Sequence, residues 1–303
     1  MCAPRAGFDQ TVRSLVPDRL RANWLSWYGP EQVAELVSGT HERAVAAIEQ
    51  WGLDDVQPLG DGQVAVVCSC RYRGQPAVLK VSPRRRDQTH RRHETEALRL
   101  WTGLAPQVLA ARDDGWTALL ERVDPGVPLA FCRPRLQALQ ILGEVAQKLH
   151  RYPAGTAFPS LATNGIGRNW RENLQRRPDA LAELEELLAT TGRDVLLHLD
   201  LHTENVLSDG ERWRVIDPKP HRGDRHAECF VFLSLADELP RHDAATTLDE
   251  WISCFCTGAG LDEQRLRRWI SVLAQAELGW WPNGNSGWGA DITHLVEALD
   301  APP

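Results

Sequence analysis

Asp200 and Asn205, in the run His198-Leu199-Asp200-Leu201-His202-Thr203-Glu204-Asn205, are followed by the carboxylate of Ile216-Asp217-Pro218. These residue types at this spacing suit phosphoryl transfer. That reaction needs one carboxylate to orient an attacking hydroxyl and take its proton, and hard oxygen donors to hold magnesium on the phosphates. Asp200 suits the first task, and Asn205 with Asp217 the second. Each residue alone reads equally well as an ordinary loop residue; the order of all three carries the reading. His198 and His202 flank the base, but histidine is a poor magnesium ligand, so His198 is read as a prop for the loop and His202 as a neighbour of the metal site.

Elements must hold these groups. Val206 to Ser208 and Trp213 to Ile216 read as short strands around Ser208-Asp209-Gly210-Glu211, and Asp-Gly is a strong hairpin signal. Folding there brings Asn205 and Asp217 toward the open end of one hairpin. Upstream, Pro76-Ala77-Val78-Leu79-Lys80-Val81 is an apolar, β-branched run with a single cation, whose alternative is an edge lysine guarding against aggregation. Further on, Glu94 opens a helical pattern with Ala97, Leu98, Leu100 and Trp101 on its face, whereas counting from Glu96 puts Arg99, Thr102 and Gly103 there. Glu94 is therefore the expected partner of Lys80, which would reach nucleotide phosphates. Gly60 and Gly62 precede the lysine strand and would let backbone N–H groups approach phosphates, though a plain hairpin turn explains them as well.

With these blocks in place, the chain resembles the aminoglycoside phosphotransferase superfamily, in its streptomycin 6-kinase and hydroxyurea phosphotransferase branch. The match lies in Pro76 to Pro83, His93 to Trp101, Ala118 to Leu129, Leu197 to Leu207 and Trp213 to Asp224. The resemblance implies an α+β, two-lobed, protein-kinase-like fold with an antiparallel-sheet N-lobe and a mostly helical C-lobe. It implies Asp200 as catalytic base, Asn205 and Asp217 as magnesium ligands, Lys80 and Glu94 as the phosphate-positioning pair, and Glu121, Arg122 and Val123 as the hinge that meets adenine. The superfamily usually has glycine where Leu199 stands, and the branch allows a bulky residue there. Trp269 and Trp280 keep the aromatic frame of the branch's pocket helix, while Ala276 and Glu277 stand where streptomycin kinases tend to have polar amides.

The implied activity is phosphorylation of an alcohol group on a small cationic antibiotic, streptomycin or a related aminocyclitol, with Mg2+ and ATP; GTP stays open. A kinase of another hydroxylated metabolite, such as an amino sugar or hydroxyurea, would share the catalytic residues, and a non-catalytic nucleotide-binding scaffold is the alternative of a different class. No Asp-Phe-Gly or Ala-Pro-Glu segment follows the catalytic loop, which argues against a protein kinase. For a cationic acceptor, Glu228, Glu277 and Asp291 are candidate contacts, with Trp280 beside them.

The 303 residues, 43% hydrophobic and 25% charged, suffice for two cores. The apolar runs are too short to span a bilayer and the first thirty residues lack a secretory core, so a cytoplasmic protein is expected. A net charge of −7 disfavours nucleic acid and anionic membrane while favouring a cationic small molecule; a monomer or weak dimer is expected. Seven cysteines are expected as reduced thiols, and the C-x-C pairs Cys68/Cys70 and Cys254/Cys256 as buried ones rather than zinc ligands. The arginines at 84–86 and 91–92 read as a solvated face. Three pieces are expected: a helical cap over 1–53, a nucleotide lobe over 54–122, and a catalytic lobe over 123–303. In the last, Leu136, Leu139, Leu142, Val145, Ala146 and Leu149 mark a buried helix face, and the Trp280, Trp281 and Trp288 segment is either a lid or a packed loop.

Overall fold

A computed structural model describes residues 15–59, 64–84, 91–163, 165–280 and 287–301. The chain forms two compact units, Met1–Val123 and Asp124–Pro303.

In the first unit, helices Asp18–Trp27 and Pro30–Trp51 precede a five-stranded antiparallel sheet. The longer helix has proline in its first turn and ends on Gly52 in the left-handed conformation, the usual punctuation of a helix. Strands β1 (Asp54–Pro58), β2 (Val66–Tyr72), β3 (Gln75–Val81), β4 (Val108–Arg112) and β5 (Thr117–Glu121) lie in the order β1-β2-β3-β5-β4. Alternation along β3 sends Ala77, Leu79 and Val81 into a core shared with Leu20, Trp24, Val33, Ala44 and Ile48 of the two helices. The same period puts Lys80 on the opposite face. Cys68 and Cys70 of β2 are buried in that core, and burial pushes their thiols up to about 12 and about 11.

The second unit is mostly helical. Strand β6 (Val127–Pro128) pairs with β8 (Val206–Ser208), which pairs with β9 (Trp213–Val215); β7 (Val195–Leu197) pairs with β10 (His221–Gly223). At the centre, helix Arg135–Leu149 packs on helix Ala244–Ala259. Their backbones touch through glycines: a Cβ on Gly143 would lie 2.2 Å from the Phe255 carbonyl oxygen, and one on Gly258 would lie 2.1 Å from that of Gln140. Leu139, Leu142, Val145, Ala146 and Leu149 fill the buried face, but Leu136 is 41% exposed, because it falls in the first turn before the helix enters the core. Helices Ile166–Asn173, Pro178–Ala189, Glu263–Trp280 and Gly287–Asp300 also belong to the unit, with the short helices Leu129–Cys132 and Phe230–Ser234. Among the described residues no helix is long and apolar enough to cross a membrane.

Candidate active site

In the first unit the Lys80 ammonium donates to Glu94 Oε1 at 2.7 Å, and both side chains are buried. Glu96 instead meets His93 Nδ1 at 3.1 Å on the surface. Glu94 opens helix Glu94–Leu100, whose buried Ala97 and Leu98 fix its face against the rest of the unit. At the end of β5, Glu121 exchanges backbone contact with Gln107, and its carboxylate accepts the Gln107 N–H at 3.0 Å. Arg122 is exposed and Val123 half-buried at the edge of the unit. Gly60 and Gly62 lie outside the described residues. Of the arginine cluster, Arg91 is buried rather than solvated, and Arg84 pairs with Asp113 at 3.4 Å.

In the second unit, β8 and β9 form the hairpin, with Val206 opposite Val215 and Ser208 opposite Trp213. Asp209 closes the turn by accepting the N–H groups of Glu211 and Arg212, and Gly210 takes a φ of 95°, which favours glycine. At the open end the Ile216 N–H donates to the Asn205 carbonyl at 3.0 Å, so Asp217 leaves the hairpin beside Asn205. The Asn205 amide nitrogen donates to the Asp200 carbonyl at 2.8 Å, tying the loop to the hairpin. With the nitrogen so engaged, the amide oxygen is the atom left to meet a cation. An amide oxygen and the Asp217 carboxylate are hard donors, the set that magnesium takes.

The loop that carries Asp200 is held by buried hydrogen bonds. His198 is fully buried; its Nε2 donates to the Ile216 carbonyl at 3.0 Å and its Nδ1 accepts the Asp200 N–H at 3.3 Å, which fixes a neutral tautomer. Burial lowers its pKa, against the opposing pull of Glu228, Asp200 and Asp217. Leu199 adopts a left-handed φ of 56°, as does Asp217. His202 lies near this site, its ring 6.0 Å from that of Phe230, and burial lowers its pKa also.

The acceptor-side candidates meet different fates. Glu228 is not a substrate contact: it is fully buried, and its two oxygens accept the N–H groups of His198 at 2.6 Å and Leu199 at 2.7 Å. At 0% exposure it offers no surface to a ligand. Glu277, on helix Glu263–Trp280, is half-buried; burial raises its pKa and the charge of Lys219 opposes that. Asp291 pairs with Arg241 at 3.4 Å, and Trp280 is 56% exposed. Trp269 is a core residue whose indole N–H donates to Asp224 at 3.0 Å. Trp281 lies outside the described residues, as does the Trp288 side chain.

Lys219 and the anchoring role of Glu228 escaped the sequence reading. Lys219 Nζ donates to Asp200 Oδ1 at 2.8 Å, and Glu228 anchors the loop, with His150 Nε2 at 3.6 Å from it. Lys219 stood inside the Trp213 to Asp224 block, yet nothing in its spacing names its partner. For Glu228 no pattern exists, because its bonds go to backbone.

A buried Lys–Glu pair beside an antiparallel sheet in one unit, with an Asp–Asn–Asp set on a loop and hairpin in a helical unit, defines a kinase-like phosphotransferase. The chain belongs to the family of aminoglycoside/hydroxyurea antibiotic resistance kinases, whose model matches residues 50–284. It is 30% identical to the streptomycin 6-kinase of Streptomyces griseus over 95% of this chain and 97% of that protein. It is 32% identical to the hydroxyurea phosphotransferase of Kitasatospora aureofaciens over 80% of this chain and 73% of that one. The fold is that of a choline/ethanolamine kinase family protein from Mesorhizobium loti, with a TM-score of 0.58 at 15% identity, covering 87% of this chain and 96% of that chain. It is equally that of an aminoglycoside phosphotransferase seen with ADP and hygromycin B, with a TM-score of 0.56 at 19% identity, covering 85% and 99%. The two-lobed, protein-kinase-like α+β architecture expected from sequence is thus the architecture found.

Proposed function

We propose that this enzyme transfers the γ-phosphoryl group of ATP to a hydroxyl of a small cationic antibiotic, streptomycin or a related aminocyclitol. The observation that supports the reading is the Asn205 amide bonded to the Asp200 main chain while Asp217 leaves the same hairpin beside Asn205. Asp200 accepts the acceptor hydroxyl's proton as the acceptor oxygen bonds to the γ-phosphorus, and the bond to the bridging oxygen breaks with its electron pair leaving on ADP. Asn205 and Asp217 would hold Mg2+, which when bound screens charge on the phosphates. Lys80, oriented by Glu94, serves the nucleotide phosphates, and Glu121, Arg122 and Val123 the adenine. Glu277, Asp291 and Trp280 are the groups offered to the acceptor.

Streptomycin is favoured by a relative that matches nearly end to end, and by a net charge of −7, which attracts a cation. The similarity to a hydroxyurea phosphotransferase supports a second reading, in which the acceptor is a small neutral hydroxyl compound. An acceptor panel including streptomycin, other aminocyclitols and hydroxyurea, with ADP formation and mass detection of the phosphorylated product, separates the two. Product with streptomycin alone supports the first, product with hydroxyurea alone the second. Nucleotide-dependent thermal stabilisation without product for any acceptor would sink both.

A further inference from the structure

Lys219 has no role in the chemistry just described, yet it is tied to it twice. Its backbone N–H donates to the His198 carbonyl at 2.8 Å, which fixes its main chain against the catalytic loop. Its ammonium donates to Asp200 Oδ1 at 2.8 Å. The pair is mostly shielded, with side-chain exposures of 26% and 13%, so it is screened less than a surface ion pair. The Phe230 ring centroid lies 5.1 Å from the ammonium, within cation–π range, and limits where the lysine can swing. Glu277, on helix Glu263–Trp280, feels the same charge.

The consequence concerns which oxygen of Asp200 does the work. The last torsion of an aspartate is broad and two-fold, so an untethered carboxylate presents either oxygen in a range of directions. Here Oδ1 is held, and among the described residues no hydrogen bond takes Oδ2.

We propose that Lys219 is a positioning residue for phosphoryl transfer: by pinning Oδ1 of Asp200 it presents Oδ2 to the acceptor hydroxyl. The proposal rests on Asp200 as the base. The proton of the hydroxyl then passes to Oδ2 while the acceptor oxygen bonds to the γ-phosphorus and ADP departs with the electron pair of the broken bond. Misplacing a reacting group by about 1 Å costs on the order of a hundredfold in rate, which sets the expected size of the effect.

The test is steady-state ADP formation by the full chain with ATP and magnesium, using streptomycin as acceptor and, separately, water alone. Lys219→Met is expected to lower kcat by about 10- to 100-fold while KM for ATP stays within about twofold. Lys219→Arg, which keeps the charge-assisted bond, is expected to recover a large part of the loss. Wild-type kcat in Lys219→Met overturns the proposal. So do equal losses in the two variants accompanied by equal falls in Tm, since those mark a merely structural charge. If streptomycin supports no turnover, the acceptor assignment fails and the same ratios are read on hydrolysis to water, where an unchanged rate in Lys219→Met overturns the positioning role. An Asp200→Ala enzyme at full rate overturns the base and Lys219 together, whereas an inactive Asp200→Ala beside a fully active Lys219→Met overturns Lys219 alone.

Discussion

The Glu228 carboxylate accepts the backbone N–H of Leu199 at 2.7 Å while Leu199 holds a left-handed φ of 56°. Its other oxygen takes the His198 N–H at 2.6 Å. A non-glycine residue in that conformation costs about 1–2 kcal/mol. Hydrogen bonds to a charged group contribute about 1.5–3 kcal/mol each, so two of them outweigh the strain and hold the main chain that carries Asp200.

Removing that anchor strands two buried N–H donors. Glu228→Ala is expected to lower stability by about 3 kcal/mol or more and to reduce kcat, with Glu228→Gln in between because it keeps one acceptor oxygen. Urea unfolding and initial rates check this; a Glu228→Ala protein as stable as wild type would show that the anchor does not matter.

Leu199→Gly sets two effects against each other. Glycine relieves about 1–2 kcal/mol of backbone strain, but the leucine side chain is buried, and large-to-small changes in cores cost about 2–5 kcal/mol. Glycine also loosens the unfolded chain. The variant is expected to be less stable by about 1–3 kcal/mol in urea unfolding, and a gain in stability would mean that strain, not packing, governs this position.

On the proposed role of Asp200 as general base, Asp200→Ala is expected to lower turnover by about 10²–10⁴-fold, the range such a base contributes, while ATP still binds. Rates of ADP formation together with equilibrium nucleotide binding give the comparison.

The crossing of helices Arg135–Leu149 and Ala244–Ala259 allows no Cβ at Gly143. Alanine there gains about 1 kcal/mol of helix propensity. The atoms it would strike, the Phe255 carbonyl oxygen at 2.2 Å and the Ala259 nitrogen at 2.8 Å, are backbone and cannot turn aside. Overpacking costs about 1–3 kcal/mol, so Gly143→Ala is expected to be net destabilising, measurable as a lower urea midpoint.

Asp224 predicts the shape of the acid limb. Burial works to raise its pKa, but bonds from the His226 side chain and backbone, Arg265 and Trp269 outweigh burial and hold the carboxyl well below the usual carboxylate range. A depressed folded pKa gives stability that is present above the unfolded value, about 3.9, and is lost as pH falls toward the folded one. The destabilisation by Asp224→Asn should therefore be full at pH 7 and shrink below about pH 4. Denaturant unfolding at pH 7, 5 and 3.5 measures it, and a penalty independent of pH across that range would contradict the linkage.

Local pattern and tertiary arrangement contributed different parts. The β8–β9 hairpin was legible because Asp209-Gly210 encodes its own turn, and β3 because alternation separates Leu79 and Val81 from Lys80. The pairing of Lys80 with Glu94 rather than Glu96 followed from helical periodicity, a local property as well. Glu228 was misread as a substrate contact because its partners are main-chain N–H groups, which every sequence has and none advertises. Trp269 read as pocket wall for a similar reason: burial depends on what packs against a helix face, not on the face alone.

By itself, the sequence determined the chemical set: two aspartates and an asparagine around one hairpin and a lysine–glutamate pair, each on an element whose period or turn chemistry is local. Only the tertiary structure decided that Glu228 holds the loop, that Lys219 takes Oδ1 of Asp200, and that Leu199 tolerates a glycine's conformation. Those facts depend on contacts between distant segments, where a single carboxylate serves as anchor or as ligand site according to which donors the fold brings to it.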